Sequence, residues 1–251
     1  FKTMIGIDNL HKQLAGKDVL RGVSLRVEKG EFFALIGQSG CGKSVLLKHI
    51  AGLLQPDRGR ILIDGEDLSA ARGKDLERIR SRYGFVFQNG ALFDSMTVYD
   101  NLAFPLREKT SLDEETIREK IAQGLDQVGL KEVESIYPSQ LSGGMTKRTA
   151  LARALVMEPE IIFFDEPTTG LDPIIAKTIL ELFNACHEKL NLTGIIVSHQ
   201  VPDIFQIAQK VGMLHEGKMI TAEIRDGKID TDNRIIQQFV EGRVDGPVQY
   251  K

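Results

Sequence analysis

The chain has 251 residues, with 32 basic and 35 acidic side chains and a formal net charge of −3. This length allows one sizeable core without disulfides or metals, and the balanced charge excludes a broad positive field for nucleic acid or anionic lipid. Two cysteines are too few for a disulfide framework, so a reducing compartment is expected, with one bridge left open. The sequence shows no export signal and no apolar run of the roughly 18 residues needed to span a membrane, which favours a soluble or peripheral protein.

The N-terminal segments predict two edge strands, a buried strand and a phosphate-binding loop. Residues 5–10 and 19–27 favour edge strands, and the continuously apolar segment 31–37 favours a buried one. The sequence GQSGCGKS, residues 37–44, then precedes a helical segment, which is the P-loop pattern and context. Its glycines let backbone N–H groups surround phosphate oxygens, its lysine can reach the β- and γ-phosphates, and its serine hydroxyl can hold Mg²⁺. An ordinary glycine-rich turn is the alternative. The candidate nucleotide-binding residues are Gly37, Gln38, Ser39, Gly40, Cys41, Gly42, Lys43 and Ser44.

Three further apolar segments, residues 84–88, 160–166 and 193–199, also favour buried strands. Continuous rather than alternating apolar character is typical of parallel strands that helices cover on both faces. Residues 211–223 have Glu-Gly between two apolar runs and predict a hairpin. The predicted fold is therefore α/β with a parallel-sheet core.

A polar residue ends each of these three strands, at the sheet edge where ligands of such folds bind. Asp165 is suited to hold Mg²⁺, and Glu166 is suited to act as a base for an attacking water. His199 is a candidate contact for the γ-phosphate, and Gln88 for the metal or the water. Each has a structural alternative, namely a solvated turn, a structural histidine or a polar loop residue.

Residues 97–156 form a predicted helical subdomain inserted between strands. Residues 111–114 fit a capping box, and four apolar side chains then share one helical face up to Gly129: Ile117, Ile121, Leu125 and Val128. The stretch LSGGMTKRTALARAL, residues 141–155, opens with poor helix formers and continues as a helix. Ser142, Gly143 and Gly144 are therefore expected to present backbone N–H groups to an anion at the positive end of the helix dipole.

The C-terminal residues 230–251 predict a short helix and an extended arm. Asp230 and Asp232 are candidate caps for an amphipathic helix that ends at Gly242, and Gly246-Pro247 cannot continue it. The apolar arm residues Val244, Val248 and Tyr250 favour contact with protein, and a frayed terminus is the alternative. Truncation after Gly242 is expected to weaken assembly and to leave nucleotide binding intact.

These motifs, in this order, resemble the ATP-binding-cassette ATPases over nearly the whole chain. The resemblance implies a P-loop NTPase fold with an N-terminal antiparallel β subdomain and an inserted helical one. It implies a Q-loop at Gln88, a signature motif at residues 141–145, a D-loop at residues 170–172 and a switch at His199. It further implies that Ser142, Gly143, Gly144 and Asp172 serve ATP bound by a second copy. One departure is Leu14, which stands where an aromatic residue usually stacks on adenine, so weak discrimination between ATP and GTP is expected.

The segment 85–106, the motif LSGGM and the C-terminal ending resemble more narrowly the Mla-type, Mce-associated ATPases. That resemblance implies a phospholipid-transport ATPase with residues 1–229 as its ATPase domain, peripheral on the cytoplasmic face of a bacterial inner membrane. It implies as partners an MlaE-like permease, an MlaD-like Mce-domain protein and an MlaB-like STAS-domain subunit. Leu92, Phe93 and Met96 fit a permease-binding patch, and core packing is the alternative.

Two other classes of function stay open. One is the ATPase subunit of a small-solute importer, and the other is an ATP-dependent regulator that does not transport and would not need Glu166 or His199. A cassette protein of DNA repair or translation is not favoured, because the chain has no basic stripe and no long coiled-coil insertion.

Overall fold

In the computed structural model, residues 2–198 and 201–248 are described, and they belong to two compact units. The first unit runs to Arg80 and resumes at Thr193, and the second comprises Ser81–Leu192. The fold is α/β, with parallel strands, an antiparallel β subdomain and an inserted group of helices, as the sequence predicts. No helix among these residues is both long and apolar enough to cross a membrane.

The antiparallel sheet of the first unit has the strand order β2-β1-β4-β5. Its strands are β1 (Thr3–Leu14), β2 (Lys17–Glu28), β4 (Arg58–Ile63) and β5 (Glu66–Asp67). The prediction of two edge strands is right for β2 and wrong for β1. Residues of β4 pair with the other side of β1, for example Ile7 with Ile61, so β1 is an inner strand.

The second sheet of the first unit contains five strands in the order β11-β10-β9-β3-β8. They are β3 (Phe32–Ile36), β8 (Thr193–Val197), β9 (Lys210–His215), β10 (Lys218–Arg225) and β11 (Lys228–Asp230). Strand β3 pairs in parallel with β8 and β9, and every residue of β3 and β8 is buried. The predicted hairpin is confirmed as β9 and β10. The helices of this unit are α1 (Lys43–Ile50), α2 (Gly73–Arg80), α7 (Val201–Ile204) and α8 (Arg234–Glu241).

The second unit has two parallel strands, β6 (Tyr83–Val86) and β7 (Ile161–Asp165). Its helices are α3 (Val98–Lys109), α4 (Glu114–Gln127), α5 (Gly143–Leu155) and α6 (Pro173–Leu190), with one 3-10 turn at Pro138–Gln140. Aromatic pairs stabilise both strands. The ring centroids of Phe85 and Phe163 are 4.9 Å apart in a stacked arrangement, and those of Phe164 and Phe183 are 4.4 Å apart. The four apolar residues predicted to share a face of α4 are all buried, and Gly129 follows that helix with φ +66°.

Two predicted helix starts are wrong by a few residues. Helix α4 is capped by Asp113 rather than Ser111, because the Asp113 carboxylate accepts the Thr116 N–H at 2.8 Å. Helix α8 is capped by Asn233 rather than by the aspartates at 230 and 232, since its side-chain oxygen accepts the Ile235 N–H at 3.0 Å. In both cases the side chain directly before the first helical turn is the one within reach of its N–H groups.

The C-terminal segment differs from the predicted extended arm. Residues 243–248 bend, and Val248 is buried with 3% of its surface exposed, which agrees with its expected apolar contact. Val244 is 87% exposed on this chain, so its expected contact with another protein stays a prediction. Tyr250 lies outside the described residues. Local turn chemistry at Gly246-Pro247 therefore brings the segment back instead of extending it.

Candidate nucleotide-binding site

The phosphate loop joins β3 to α1, and two of its glycines are required by close approach. Gly37 has φ +144°, and a Cβ there would lie 2.6 Å from the Leu214 carbonyl oxygen. Gly42 has φ +107°, and its Cβ would lie 2.7 Å from Cγ1 of Val19. No side chain fits at either position without moving the surrounding strands. The loop is thus held close to the first unit's two sheets.

Helix α1 begins directly after this loop, and no side chain caps the backbone N–H groups of its first turn. Its N-cap is Gly42, which makes no side-chain cap hydrogen bond. The Lys43 side chain is 8% exposed, and its Nζ donates to the Gly37 and Gln38 carbonyl oxygens at 2.8 and 2.9 Å. The buried Nε2 of Gln38 has no hydrogen-bond partner among the described residues. A helix start, an ammonium and an unpaired donor together fit the binding of a phosphate chain.

The loop borders a cavity with a volume of about 780 Å³. Gln38, Ser39, Gly40 and Cys41 lie along it together. Burial raises the pKa of the Cys41 thiol although the positive charge of Lys43 acts in the opposite direction, so the thiol stays protonated near neutral pH. Ser44 is exposed in the first turn of α1. This cavity has the size of a small-molecule site.

In the second unit, Asp165 is the last residue of β7 and Glu166 is the next residue of the chain. Glu166 has φ +48°, an uncommon backbone region for a residue other than glycine. Its carboxylate accepts a hydrogen bond from the Thr169 hydroxyl at 3.3 Å. Both acidic side chains are half-buried, as expected for groups at the carboxyl end of a strand.

The predicted anion-binding start of α5 also packs closely against α6. Ser142 caps α5 by accepting the Met145 N–H at 3.3 Å. A Cβ on Gly143 would lie 3.2 Å from Cδ2 of Leu171, and one on Gly144 would lie 3.1 Å from Cγ2 of Ile175. The glycines therefore serve helix packing as well as leaving the backbone uncovered. Asp172, predicted to contact nucleotide, caps α6 by accepting two backbone N–H groups at 3.1 Å each.

Gln88 is exposed just after β6, and two cations of α5 hold the loop that carries it. Lys147, which is buried, donates from Nζ to the Gln88 carbonyl oxygen. Arg153 donates to the carbonyl oxygens of Gly90 and Ala91. Burial lowers the pKa of Lys147. The sequence analysis did not predict this contact. The position of Lys147, on the same face of α5 as the apolar Leu151, could have indicated that the lysine is buried.

His199, the predicted switch, lies outside the described residues. Residues 38–41 of the phosphate loop line one cavity in the first unit. In the second unit Asp165 adjoins Glu166, and the start of α5 packs on the start of α6. The structure thus describes two groups of candidate residues, one in each unit.

Comparison with known proteins is consistent with this arrangement. The profile of a family described as "ABC transporter" matches residues 20–169. The chain is 40% identical over 250 residues to the intermembrane phospholipid transport system ATP-binding protein MlaF of Haemophilus influenzae, covering 100% of this chain and 95% of that protein. The chain belongs to the ABC transporter family.

Two further relatives extend the comparison. The probable ribonucleotide transport ATP-binding protein mkl of Mycobacterium leprae is 41% identical, covering 97% of this chain and 70% of that protein. The dimeric, post-hydrolysis structure of the ATP-binding cassette MJ0796 bound to ADP and Pi has a TM-score of 0.79 and 30% identity, covering 88% of this chain and 99% of that chain. As a member of this family the chain binds nucleotide and is an ATP hydrolase.

The Lys147 contact leads to a prediction for this ABC ATPase. In Lys147→Met, backbone amide hydrogens of residues 88–91 should exchange about 10- to 100-fold faster, because a hydrogen bond from a charged group contributes roughly 1.5–3 kcal/mol. Hydrogen exchange measured by mass spectrometry checks this. Lys177→Met, a change of an exposed lysine on α6, is the matched control. Equal exchange in both variants would show that Lys147 does not hold the loop.

Proposed function

We propose that this ABC ATPase binds and hydrolyses ATP to power phospholipid transport between the inner and outer membranes of a bacterial envelope. The observation that carries the proposal is the full-length similarity to a protein named for intermembrane phospholipid transport. Residues 1–229 form the ATPase domain in this proposal, and residues 230–251 form a C-terminal extension. The subunit is peripheral, on the cytoplasmic face of the inner membrane.

The residues at the two candidate groups have distinct roles in this proposal. The loop of residues 37–44 holds the phosphates of ATP, with Lys43 neutralising their charge. Ser44, Gln88 and Asp165 would hold Mg²⁺, which supplies charge neutralisation when bound. Glu166 accepts a proton from the attacking water, and Thr169 orients its carboxylate through the hydrogen bond at 3.3 Å. His199 would contact the γ-phosphate.

A second copy of the chain completes the site in this proposal. Ser142, Gly143 and Asp172 are exposed at the starts of two helices, where positive dipole ends favour an anion. The solved relative MJ0796 is a dimer. Ser142, Gly143, Gly144 and Asp172 therefore serve ATP bound by the neighbouring copy. ATP that binds the closed dimer more tightly than the open subunits shifts the equilibrium towards closure, and hydrolysis reverses the shift.

An apolar groove in the second unit fits a membrane permease. It has a volume of about 320 Å³, and its exposed aromatic residues are Phe87, Phe93 and Phe104. Its rim is fixed, because the buried Asn101 amide donates to the Phe93 carbonyl oxygen at 3.1 Å and accepts the Phe93 N–H at 2.7 Å. Adjacent exposed aromatic rings on a fixed rim are typical of a protein-binding surface. Of the predicted patch, Phe93 lines the groove, whereas Leu92 and Met96 are half-buried beside it.

Phe93→Ser tests the groove. Loss of one exposed aromatic anchor should weaken permease binding by about 1–2 kcal/mol, or roughly 5- to 30-fold, with ATP affinity unchanged. The measurement is the amount of permease that copurifies from membranes with the tagged subunit. Leu112→Ser, a change of a similarly exposed apolar residue outside the groove, is the control. Undiminished copurification would place the permease elsewhere.

The transported substrate is tested by the same purification. Phospholipid in the purified complex, together with ATPase activity that depends on the permease, is expected, as is copurification of an Mce-domain protein and a STAS-domain subunit. The similarity to a protein named for ribonucleotide transport favours one alternative, an importer of small solutes. A complex with a solute-binding protein and no phospholipid would support that alternative. An ATPase that copurifies with no permease would instead indicate a regulator.

A further inference from the structure

The last described residue, Val248, is held by a buried amide of α8. The Gln238 side chain is 3% exposed, and its Nε2 donates to the Val248 carbonyl oxygen at 2.9 Å. The Val248 N–H donates back to Oε1 of Gln238 at 2.8 Å. One buried amide thus pairs with both backbone polar groups of a residue ten positions further along the chain. A buried polar pair that is fully satisfied specifies one position for the segment.

Gly246 permits this arrangement. A Cβ at Gly246 would lie 2.3 Å from Cδ and 2.4 Å from Oε1 of Gln238, so any larger residue would push the Gln238 amide away from its observed position. A backbone hydrogen bond also joins the start of this segment to α8, because the Arg243 N–H donates to the Gln238 carbonyl oxygen at 3.1 Å. Residues 243–248, here termed the return loop, therefore have a specific seat on α8 rather than the contacts of a frayed end.

The return loop reaches the cavity of the phosphate loop. Pro247 and Val248 line it together with Gln38, Ser39, Gly40 and Cys41, about 200 positions earlier in the sequence. The remaining wall comes from the start of β2 and from the turn between β9 and β10. All of these residues belong to the first unit. The C-terminal extension is thus part of the wall of the candidate nucleotide site in its own chain.

The chemistry of the lining assigns different parts of a nucleotide to different walls. The phosphate loop suits the anionic end, so the nucleoside must contact the other walls. The described lining contains no Phe, Tyr or Trp, and beyond the phosphate loop its apolar side chains are Val19, Pro247 and Val248. A purine has two apolar faces, which a binding site covers with apolar side chains. Two of these three residues belong to the return loop: Pro247 is exposed, whereas Val248 is 3% exposed, so Pro247 offers most of the loop's apolar surface.

We propose that Pro247 and Val248 form a wall of the nucleoside-binding part of this site, held in place by Gln238 and Gly246. The inference rests on the proposed binding of ATP at residues 37–44. Packing of the return loop on α8 and binding of the nucleoside are then thermodynamically coupled. Each process increases the equilibrium constant of the other. A partner that draws the return loop off α8 would thereby lower the affinity of the same subunit for ATP. The sequence alone assigned this segment to assembly and not to nucleotide binding.

Gly246→Val tests the wall, because a side chain there cannot coexist with the observed position of the Gln238 amide. Either the loop or that amide must move, and the two hydrogen bonds to Val248 are lost in both cases. Binding of ATP and of inorganic tripolyphosphate to the full chain is measured by calorimetry. ATP affinity should fall about 10-fold, equivalent to roughly 1.4 kcal/mol, while tripolyphosphate affinity stays that of the wild type. Val244→Ser changes an exposed side chain of the same loop that does not line the cavity, and it should leave both affinities unchanged.

Thermal unfolding without ligand checks that Gly246→Val is folded. If it is not, the chain ending at Arg243 replaces it and must show the same selective loss of ATP affinity. Unchanged ATP affinity in the folded variant would refute the proposed contact with the nucleoside and would favour a role of the return loop in assembly alone. Equal losses for both ligands would also overturn it, since the loop would then act through the phosphate end. A wild type that binds neither ligand would refute the proposed nucleotide site itself, which is a different result from either of these.

Discussion

Glu166→Gln should lower the rate of ATP hydrolysis by about 10²- to 10⁴-fold while ATP binding stays within a few-fold of the wild type. The amide has nearly the same shape as the carboxylate and can still accept the hydrogen bond that the Thr169 hydroxyl donates at 3.3 Å. It cannot accept a proton from water near neutral pH. The change therefore removes the proposed base without removing a group that holds the phosphates.

Release of phosphate measures the rate, and calorimetry measures the binding of ATP. The Gln variant should also accumulate as a dimer in the presence of ATP, because the step that reopens the dimer is blocked. Glu181→Gln, a change of an exposed residue on α6, serves as the control and should hydrolyse ATP at the wild-type rate. Hydrolysis at that rate in a confirmed Glu166→Gln preparation would exclude Glu166 as the base.

Lys43→Ala should weaken ATP binding by at least about 10- to 100-fold. The Nζ of Lys43 lies 2.8 and 2.9 Å from two loop carbonyl oxygens, so it is already positioned at the phosphate loop before a ligand arrives. Each hydrogen bond between an ammonium and a charged oxygen contributes about 1.5–3 kcal/mol, and the variant loses these interactions together with the charge. Hydrolysis falls as a consequence of the lost binding.

The matched control is Lys48→Ala, which removes an exposed lysine from the last turn of the same helix. A thermal unfolding series with increasing ATP gives a second readout, because a ligand that binds only the folded state raises its stability with concentration. Wild-type and Lys48→Ala proteins should show the rise, and Lys43→Ala should not at the same concentrations. An equal rise in all three would mean that the ammonium does not contact the nucleotide.

Local patterns in the sequence were sufficient for the buried parallel strands and for the candidate phosphate loop. Continuous apolar segments predicted β3, β6, β7 and β8 within about two residues of their observed bounds. The spacing of GQSGCGKS identified the loop because positive φ and a helix start depend on neighbouring residues alone. The roles of the individual site residues stay predictions, which the substitutions at Glu166 and Lys43 test.

Helix starts and strand positions were less predictable, because several residues compete for the same role. The choice between Ser111 and Asp113 as a cap depends on which side chain reaches the N–H groups once the helix has formed. The inner position of β1 depends on its pairing with β4, a contact across about 55 residues. Such choices are decided by pairing energies that no short segment of sequence contains.

Only the tertiary structure revealed the contacts that link distant segments. The sequence determined that a helix follows the poor helix formers after Leu141, and it determined that the C-terminal helix ends at Gly242. The fold decided that Lys147 donates to the Gln88 carbonyl oxygen and that Val248 pairs with Gln238 beside the phosphate loop. A buried donor must find an acceptor to offset its lost hydration, and which acceptor lies within hydrogen-bonding distance is set by how the chain packs and not by the residues beside it.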